Sequence, residues 1–338
     1  MSHSVSPRIN IVQIKRFASF IKNAAPPPSL NFYSYKKCCV EEIVLEDMYP
    51  PIRAPGVIDF FFFAMAHNYG FWTDDGEKYT APFVGTWRGK NEVNGSELLF
   101  NMLTAAWKKD AECFSPLRLQ RISDAEFADI FSDDHGPIAF FNTDERRELT
   151  RTYARWFRVR RMAGQSPSDL VSFASEYADP AFALREILMH PENGVPLYRE
   201  DPLGKKAELL LMALSNRPER FLWIMDSTRV YPLVDHHDMR VTLRMGHVVL
   251  PRAWVKQNQD RLITSRNHED AIRKATFRAD ELTMRLSGCT RDEIDFFKWS
   301  ARKYCTEIDA PNCSACGLQS VCAKHVTLFQ PIYRTTYY

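Results

Sequence analysis

A chain of 338 residues, 45% hydrophobic and 25% charged, can support one large core or two closely packed subdomains, and it excludes wholesale disorder. A formal net charge of +2 does not announce a nucleic-acid binder, although it leaves room for a local basic face. Eight cysteines do not make a small disulfide scaffold at this length. Four of them fall in the last 34 positions, an asymmetry that points to a metal site in a reducing compartment.

The first 55 residues are interrupted by Ala24–Ala25–Pro26–Pro27–Pro28–Ser29 and Pro50–Pro51, so they are expected to wrap the body. The apolar run Ile58–Ala66 is too short to span a bilayer and predicts a buried helix. With no secretion signal at either terminus, a cytoplasmic protein without membrane contact is expected. Gly95–Trp107 carries apolar residues at three- and four-residue steps, and Ser123–Glu126 has the form of a capping box. Asp144–Arg161 is rich in helix formers, and Pro180–Met189 opens with a proline suited to a first turn. Lys205–Leu214, Met239–Met245, His268–Leu286 and Arg291–Tyr304 complete the predicted helices.

Strand patterns are short and scattered, which favours an all-α architecture over a Rossmann sheet or a barrel. The expected organisation is a wrapping segment 1–55, a helical body 56–300 of two packed subdomains, and a loop and tail 301–338. No Walker loop or dinucleotide-binding glycine motif occurs. The basic clusters Arg146–Arg147, Arg158–Arg161 and Lys205–Lys206 read as solvated helix faces or as phosphate contacts.

Cys305–x7–Cys313–x2–Cys316–x5–Cys322 is the strongest local signal. Four such thiolates suit either a tetrahedral zinc ion or a cubane cluster. The absence of paired Cys-x2-Cys halves favours a structural [4Fe-4S] cluster, with zinc as the alternative. Cys38, Cys39, Cys113 and Cys289 read as ordinary packed cysteines.

The second signal is Pro232–Gly246. Asp235 follows an apolar stretch and precedes a helical run, so it is placed to cap a helix or to act as a carboxylate in chemistry. Asp238, His237, Arg240 and Arg244 lie near it in sequence. Departure of a base from a sugar develops positive charge at C1′, which a carboxylate stabilises, directly or by orienting water or forming a sugar adduct. The two arginines suit a phosphate or a structural pairing with the acids. His236 and His237 lack a clear third metal ligand. A lysine among Lys205 and Lys206 could form an imine after base loss, but a surface-helix role accounts for both.

Val234–Asp–His–His–Asp–Met–Arg–Val241 followed by Arg244 resembles the Val-Asp-x-His-x-x-Arg-Val-x-x-Arg stretch of the helix-hairpin-helix DNA glycosylases, in their iron–sulfur branch. The resemblance implies Asp235 as catalytic aspartate, His237 as a supporting residue, and Cys305, Cys313, Cys316 and Cys322 as cluster ligands, with a first gap of seven where that branch has six. It covers about residues 200–325. The Leu-Pro-Gly-Val-Gly hairpin that grips a DNA phosphate is replaced by Pro202–Leu–Gly–Lys–Lys–Ala207, and Lys206 falls near the lysine of bifunctional members.

A second, longer resemblance is to the queuosine-salvage nucleotide N-glycosylases. Phe71–Trp72, Trp87 to Gly95, Gly136–Pro–Ile138, Glu145–Arg146, Lys205–Leu210, Asp238–Val241 and Pro331–Tyr338 are similar to that family in order. It implies Asp238 as the acid, whereas the DNA-enzyme pattern implies Asp235. Together these resemblances imply a helix-hairpin-helix glycosylase-like fold with a C-terminal iron–sulfur loop. The implied activity is N-glycosidase action on a queuosine-like or other 7-deazapurine nucleotide by a monomer. Asp235, Asp238 and Lys206 are then the candidate catalytic groups. His237, Arg240, Arg244, Phe71 and Trp72 are the candidate substrate contacts, with Trp87 and Trp223 as further aromatic walls. The alternatives are excision of a modified base from DNA and a noncatalytic metal-containing nucleic-acid-binding module.

Overall fold

A computed structural model describes residues 6–24, 30–37, 41–138, 143–159 and 165–338. The proline run at 25–29, Cys38, Cys39, Arg160 and Arg161 lie outside the described residues. The architecture is mostly helical, in keeping with the all-α expectation, with small two-stranded pieces that do not close into a larger sheet. In chain order the first helices are α1 Ile11–Lys22, α2 Val57–Ala66, α3 Gly95–Lys109, α4 Pro116–Leu119, α5 Asp124–Ile130, α6 Thr143–Val159 and α7 Pro167–Ala174. They are followed by α8 Pro180–Met189, α9 Lys205–Asn216, α10 His236–Met245, α11 Arg252–Gln259, α12 Arg266–Ser287 and α13 Arg291–Ala301. Among the described residues, no helix is long and apolar enough to cross a membrane.

The chain divides into two compact units that interleave in sequence: one comprises Met1–Pro27, Thr73–Ala81 and Tyr231–Arg334, the other Pro28–Trp72, Pro82–Val230 and Thr335–Tyr338.

In the first unit, Phe17 and Ile21 of α1 pack with Val241 and Met245 of α10, Ile294 and Ala301 of α13, and Leu318 and Val321. Helix α1 lies in the segment expected to be irregular. Its apolar positions Ile14, Phe17, Ala18 and Ile21 are buried and spaced for one helical face, and Asn10 caps it by accepting from Gln13 N. Helix α10 begins a turn earlier than predicted because Asp235 caps it, its side chain accepting from the Asp238 amide. It ends at Gly246, whose φ of 76° is a left-handed conformation that glycine adopts without a Cβ penalty.

The second unit is built on α2. Phe60, Phe61, Phe62 and Phe63 have no exposed surface, so the predicted buried helix is apolar all round and is covered by α3, α7 and α9. Phe63 stacks on Phe114 at a centroid distance of 4.7 Å. Arg146, expected on a solvated face or at a phosphate, is fully buried. It donates to the carbonyls of His67 and Tyr69 and lies 3.8 Å from the Tyr69 ring centroid. Its neighbour Arg147 pairs with Asp124 and Asp144.

Asp59 interrupts this apolar helix. Burial, reinforced by Glu112 and Asp169, raises its carboxyl to about 7. A folded-state value above the unfolded one means that its stabilising balance is complete below about pH 4 and is lost as pH rises toward 7. Asp59→Asn is therefore expected to be more stable than wild type at pH 8, by on the order of a few kcal/mol. In thermal unfolding followed by circular dichroism, that advantage should vanish at pH 4.

Candidate functional site

The first turn of α10 gathers the most elaborate polar constellation of its unit. Asp235 is partly exposed, and its Oδ1 accepts from Asp238 N at 3.0 Å. A carboxylate at a helix N-terminus is also favoured by the helix dipole. His236 and His237 follow, with ring centroids 4.0 Å apart. Glu307, from the loop after α13, approaches both: its Oε1 lies 3.7 Å from His236 Nε2 and 3.2 Å from His237 Nδ1. Tyr79, delivered from the distant segment 73–81, donates its hydroxyl to Glu307 Oε2.

Arg240, 1% exposed in its side chain, connects these groups. Its Nη1 lies 3.1 Å from Glu307 Oε1 and its Nη2 2.8 Å from His237 Nδ1. The same guanidinium donates to the Cys305 carbonyl and to Gln330 Oε1, each at 3.2 Å. Burial pushes the Glu307 carboxyl up, but Arg240, the two histidines and the Tyr79 hydroxyl outweigh it and hold the group at about 2. Burial, with His236 and Arg240, lowers His237 to about 3 against the opposing pull of Glu307 and Asp235.

One turn further along α10, Arg244 donates to the Leu328 carbonyl at 2.7 Å, the Thr306 carbonyl at 2.8 Å and the Cys305 Sγ at 3.3 Å. Both arginines thus hold the cysteine-containing loop, the structural side of the two roles open to them.

Asp238 points elsewhere. It is 2.8 Å from Lys298 Nζ of α13, which also contacts Asp280 of α12 and donates to Thr242 Oγ1 at 2.7 Å. Burial and then Asp280 drive Asp238 well above the carboxylate range, against Lys298; burial pushes Lys298 down, but the two aspartates outweigh it and raise it. Asp238, Asp280 and Lys298 border a small cleft of about 10 Å³ that Pro232, Leu233 and Met284 also line. The sequence therefore places two acids three residues apart, and the fold puts one at a helix entrance and one inside an acid–lysine–acid network.

The expected cysteine centre is corrected. Cys305, Cys313, Cys316 and Cys322 line one cavity with Arg244 and Tyr304, but their sulfurs do not converge as a ligand group. Cys305, Cys316 and Cys322 lean on the apolar cluster of their unit, so packing accounts for where they lie. Among the described residues, His236, His237 and Glu307 are the group of three metal-capable side chains whose ligand atoms all lie within 4.8 Å of one another. The expectation of a [4Fe-4S] cluster, and of zinc on the same thiols, gives way to that triad. Its third ligand, Glu307, is the partner that the sequence reading did not find for the histidines. The Arg240 guanidinium already lies against two of the three, hydrogen-bonded to His237 Nδ1 and ion-paired with Glu307 Oε1.

Lys205 and Lys206 belong to the other unit, where both are buried instead of lining a helix surface. Lys205 Nζ donates to the carbonyl of Asn68 and to its side-chain oxygen. Lys206 Nζ donates to the Thr336 carbonyl at 2.8 Å and lies 5.0 Å from the Tyr69 ring centroid. Burial lowers Lys206 to about 7; Glu200 and Asp201 oppose that, and Lys205 and Arg146 add to it. The turn before α9 is closed by Asp201, whose side chain accepts from the amides of Leu203 and Lys205 at 3.0 and 2.7 Å. Phe71 and Trp72 are buried, and Gly95 packs so closely on Phe71 that an added Cβ would meet its Cβ at 2.3 Å. Trp87 is partly buried, while Trp223 is 52% exposed, with Arg220 over its ring.

Neither known protein-family models nor curated proteins give a match to this sequence.

Sequence reasoning missed Glu307, Tyr79, Asp280 and Lys298. Glu307 stands two residues after Cys305, in a stretch whose dominant sequence signal is its cysteines. Lys298→Met would leave Asp238 and Asp280 without their shared cation, at a cost of roughly 3–5 kcal/mol. Urea denaturation should show that loss, and adding Asp280→Asn should recover part of it.

Proposed function

We propose that this protein is an N-glycosidase acting on a nucleotide that carries a queuosine-like 7-deazapurine base, with Asp235 as the carboxylate facing the sugar. The reading also takes the helical fold to be of the helix-hairpin-helix glycosylase type. The observation that carries it is the position of Asp235: a partly exposed carboxylate at the entrance of α10, fixed by the Asp238 amide, with His237 and Arg240 in the following turn. Asp238 is engaged with Lys298 in the interior and serves the same helix from within.

In the proposed reaction the bond between C1′ and the base breaks with its electron pair leaving on the base. Positive charge spreads over C1′ and the ring oxygen, and Asp235 stabilises it electrostatically. Water adds at C1′, one of its protons is lost to solvent or to a carboxylate, and the departing base acquires a proton. The products are the free base and a sugar phosphate.

A nucleotide is favoured over duplex DNA by the turn at 201–205. The amides of Leu203 and Lys205, which lie in the loose counterpart of the phosphate-gripping hairpin, are already taken by the Asp201 carboxylate. A negative side chain at that point also opposes a DNA phosphate. A free nucleotide avoids the unstacking cost of extracting a base from a helix.

The test is product analysis after the full-length protein is incubated with queuosine 5′-phosphate and, separately, with duplexes containing modified bases. Free base from the nucleotide is expected. Asp235→Asn, which keeps a capping side chain, should lower that release by at least about 10²-fold with little change in thermal stability. Release from duplexes alone would transfer the reading to DNA, and release from neither would end it.

A further inference from the structure

Charge is divided unevenly between the two units. The unit that holds α1, α10, α12 and α13 has 21 lysines and arginines against 15 aspartates and glutamates, a net +6. The other has 23 against 27, a net −4. A chain that is nearly neutral overall therefore contains one distinctly basic body. Several acids of that body are also spent inside it. Asp238, Glu269 and Asp280 are buried, Asp260 pairs with Lys256, and Asp270 pairs with Lys274.

The cations left outside gather on two helices that pack together, α1 and α12. Their inward stripes are committed to the core: Ile14, Phe17, Ala18 and Ile21 on α1, Ile272, Ala275 and Ala279 on α12. Exposed positions include Lys15 and Lys22 on α1, Arg8 just before it, and Arg278 and Arg285 on α12. Residues 278 and 285 are about two turns apart and share a helix face. Glu281 lies between them, half-buried. Among the described residues, none of the five cations has a carboxylate within ion-pair distance. Residues 1–40 contain no aspartate or glutamate at all.

Helix α13 adds an aromatic surface. It follows α12 after a turn of three residues, and Lys298 reaches back to Asp280, so Trp299 stands level with the Arg278 end of the pair. Trp299 is 42% exposed, and the Arg302 guanidinium lies 3.2 Å from its ring centroid. A tryptophan with a stacked guanidinium presents a flat, cationic edge to solvent.

We propose that the basic face of α1 and α12, with Trp299 beside it, binds single-stranded nucleic acid. The five unpaired cations would meet backbone phosphates, and a base would stack on Trp299 and Arg302. Stacking of this kind tolerates any base, so the binding is non-selective in sequence. A duplex keeps its bases stacked on each other and closed to the indole. An anionic lipid surface fits less well, because a helix that lies on lipid needs an apolar face to insert. The apolar stripe of α1 is already buried in its own unit. The inference is independent of the N-glycosidase reading, since no step of that reaction uses these helices.

The test is fluorescence anisotropy of labelled mixed-sequence strands of about 20 nucleotides, RNA and DNA in separate titrations, with full-length protein over a range of sodium chloride. Binding of either strand is expected, with log K falling against log salt at a slope of about −3.5 for five phosphate contacts. Lys15→Gln with Lys22→Gln, and separately Arg278→Gln with Arg285→Gln, should each make that slope shallower by about 1.4. Trp299→Ala should weaken binding about tenfold and leave the slope unchanged. Lys90→Gln with Lys109→Gln, on the acidic unit, should alter neither quantity. Circular dichroism of each variant checks that the fold is retained. No binding, a slope indifferent to both helix pairs, or an unchanged affinity in Trp299→Ala would overturn the proposal. So would tighter binding to a duplex of the same sequence, or binding only to vesicles containing phosphatidylserine.

Discussion

Arg240 is a buried cation, and a buried cation has to be paired and fully hydrogen-bonded or the unit that holds it is severely destabilised. Its partners come from separate stretches of chain: His237 from its own helix, Glu307 and the Cys305 carbonyl from the loop after α13, and Gln330 from the following segment. Satisfying one guanidinium therefore fixes the path of that loop across α10. Arg244 repeats the operation one turn along, on Thr306, Leu328 and the Cys305 sulfur. Two arginines at i and i+4 share a helix face, so the pair acts as a double fastening. The loop that looked from its cysteines as though it needed a metal is held by arginine–carbonyl bonds and by the apolar packing of Cys305, Cys316 and Cys322.

The two acids of α10 show why spacing alone could not choose between them. Residues 235 and 238 are one turn apart, yet the first precedes the helix and the second sits within it. The helix turns Asp238 toward α12 and α13, where Lys298 and Asp280 complete an acid–lysine–acid network. The cap position leaves Asp235 at the surface end. Environments that separate two neighbouring carboxyl groups in this way are a common means of giving them distinct roles. The division is a consequence of helical geometry combined with one lysine that arrives from 60 residues later.

Much of the helical fold was legible because apolar residues recur with helical spacing. The run at 58–66 reads as buried because it is apolar all round, and α8 starts at its proline as expected. Helix α1 carries an equally readable stripe at Ile14, Phe17, Ala18 and Ile21, set in a segment whose later prolines break its overall pattern. The site was legible only in its local part. Asp235, His237 and Arg240 lie within one helical turn and half, so sequence neighbours are spatial neighbours. Glu307 and Tyr79 reach them through tertiary packing, and segment 73–81 joins their unit from far away in the chain. Nothing in a single sequence marks such an arrival. Lys205 and Lys206 failed for the opposite reason: two adjacent lysines suggest a solvated face, but Asn68, the Thr336 carbonyl and the Tyr69 ring supply enough polar and π contact to bury both.

The turn at Asp201 shows how this chain closes the entrance to α9 from within. A phosphate-gripping hairpin works because its amides point outward with no internal acceptor, and the ligand completes them. Here the chain supplies its own anion. Asp201 has no exposed surface, receives two amides through its side chain and a third, from Gly204, through its carbonyl. An incoming phosphate would have to displace a carboxylate that is already inside and already paired. That exchange offers no net gain in hydrogen bonds and sets two negative charges against each other. A turn of this kind is built to start α9 without help, so any phosphate that this protein recognises must be met by other groups.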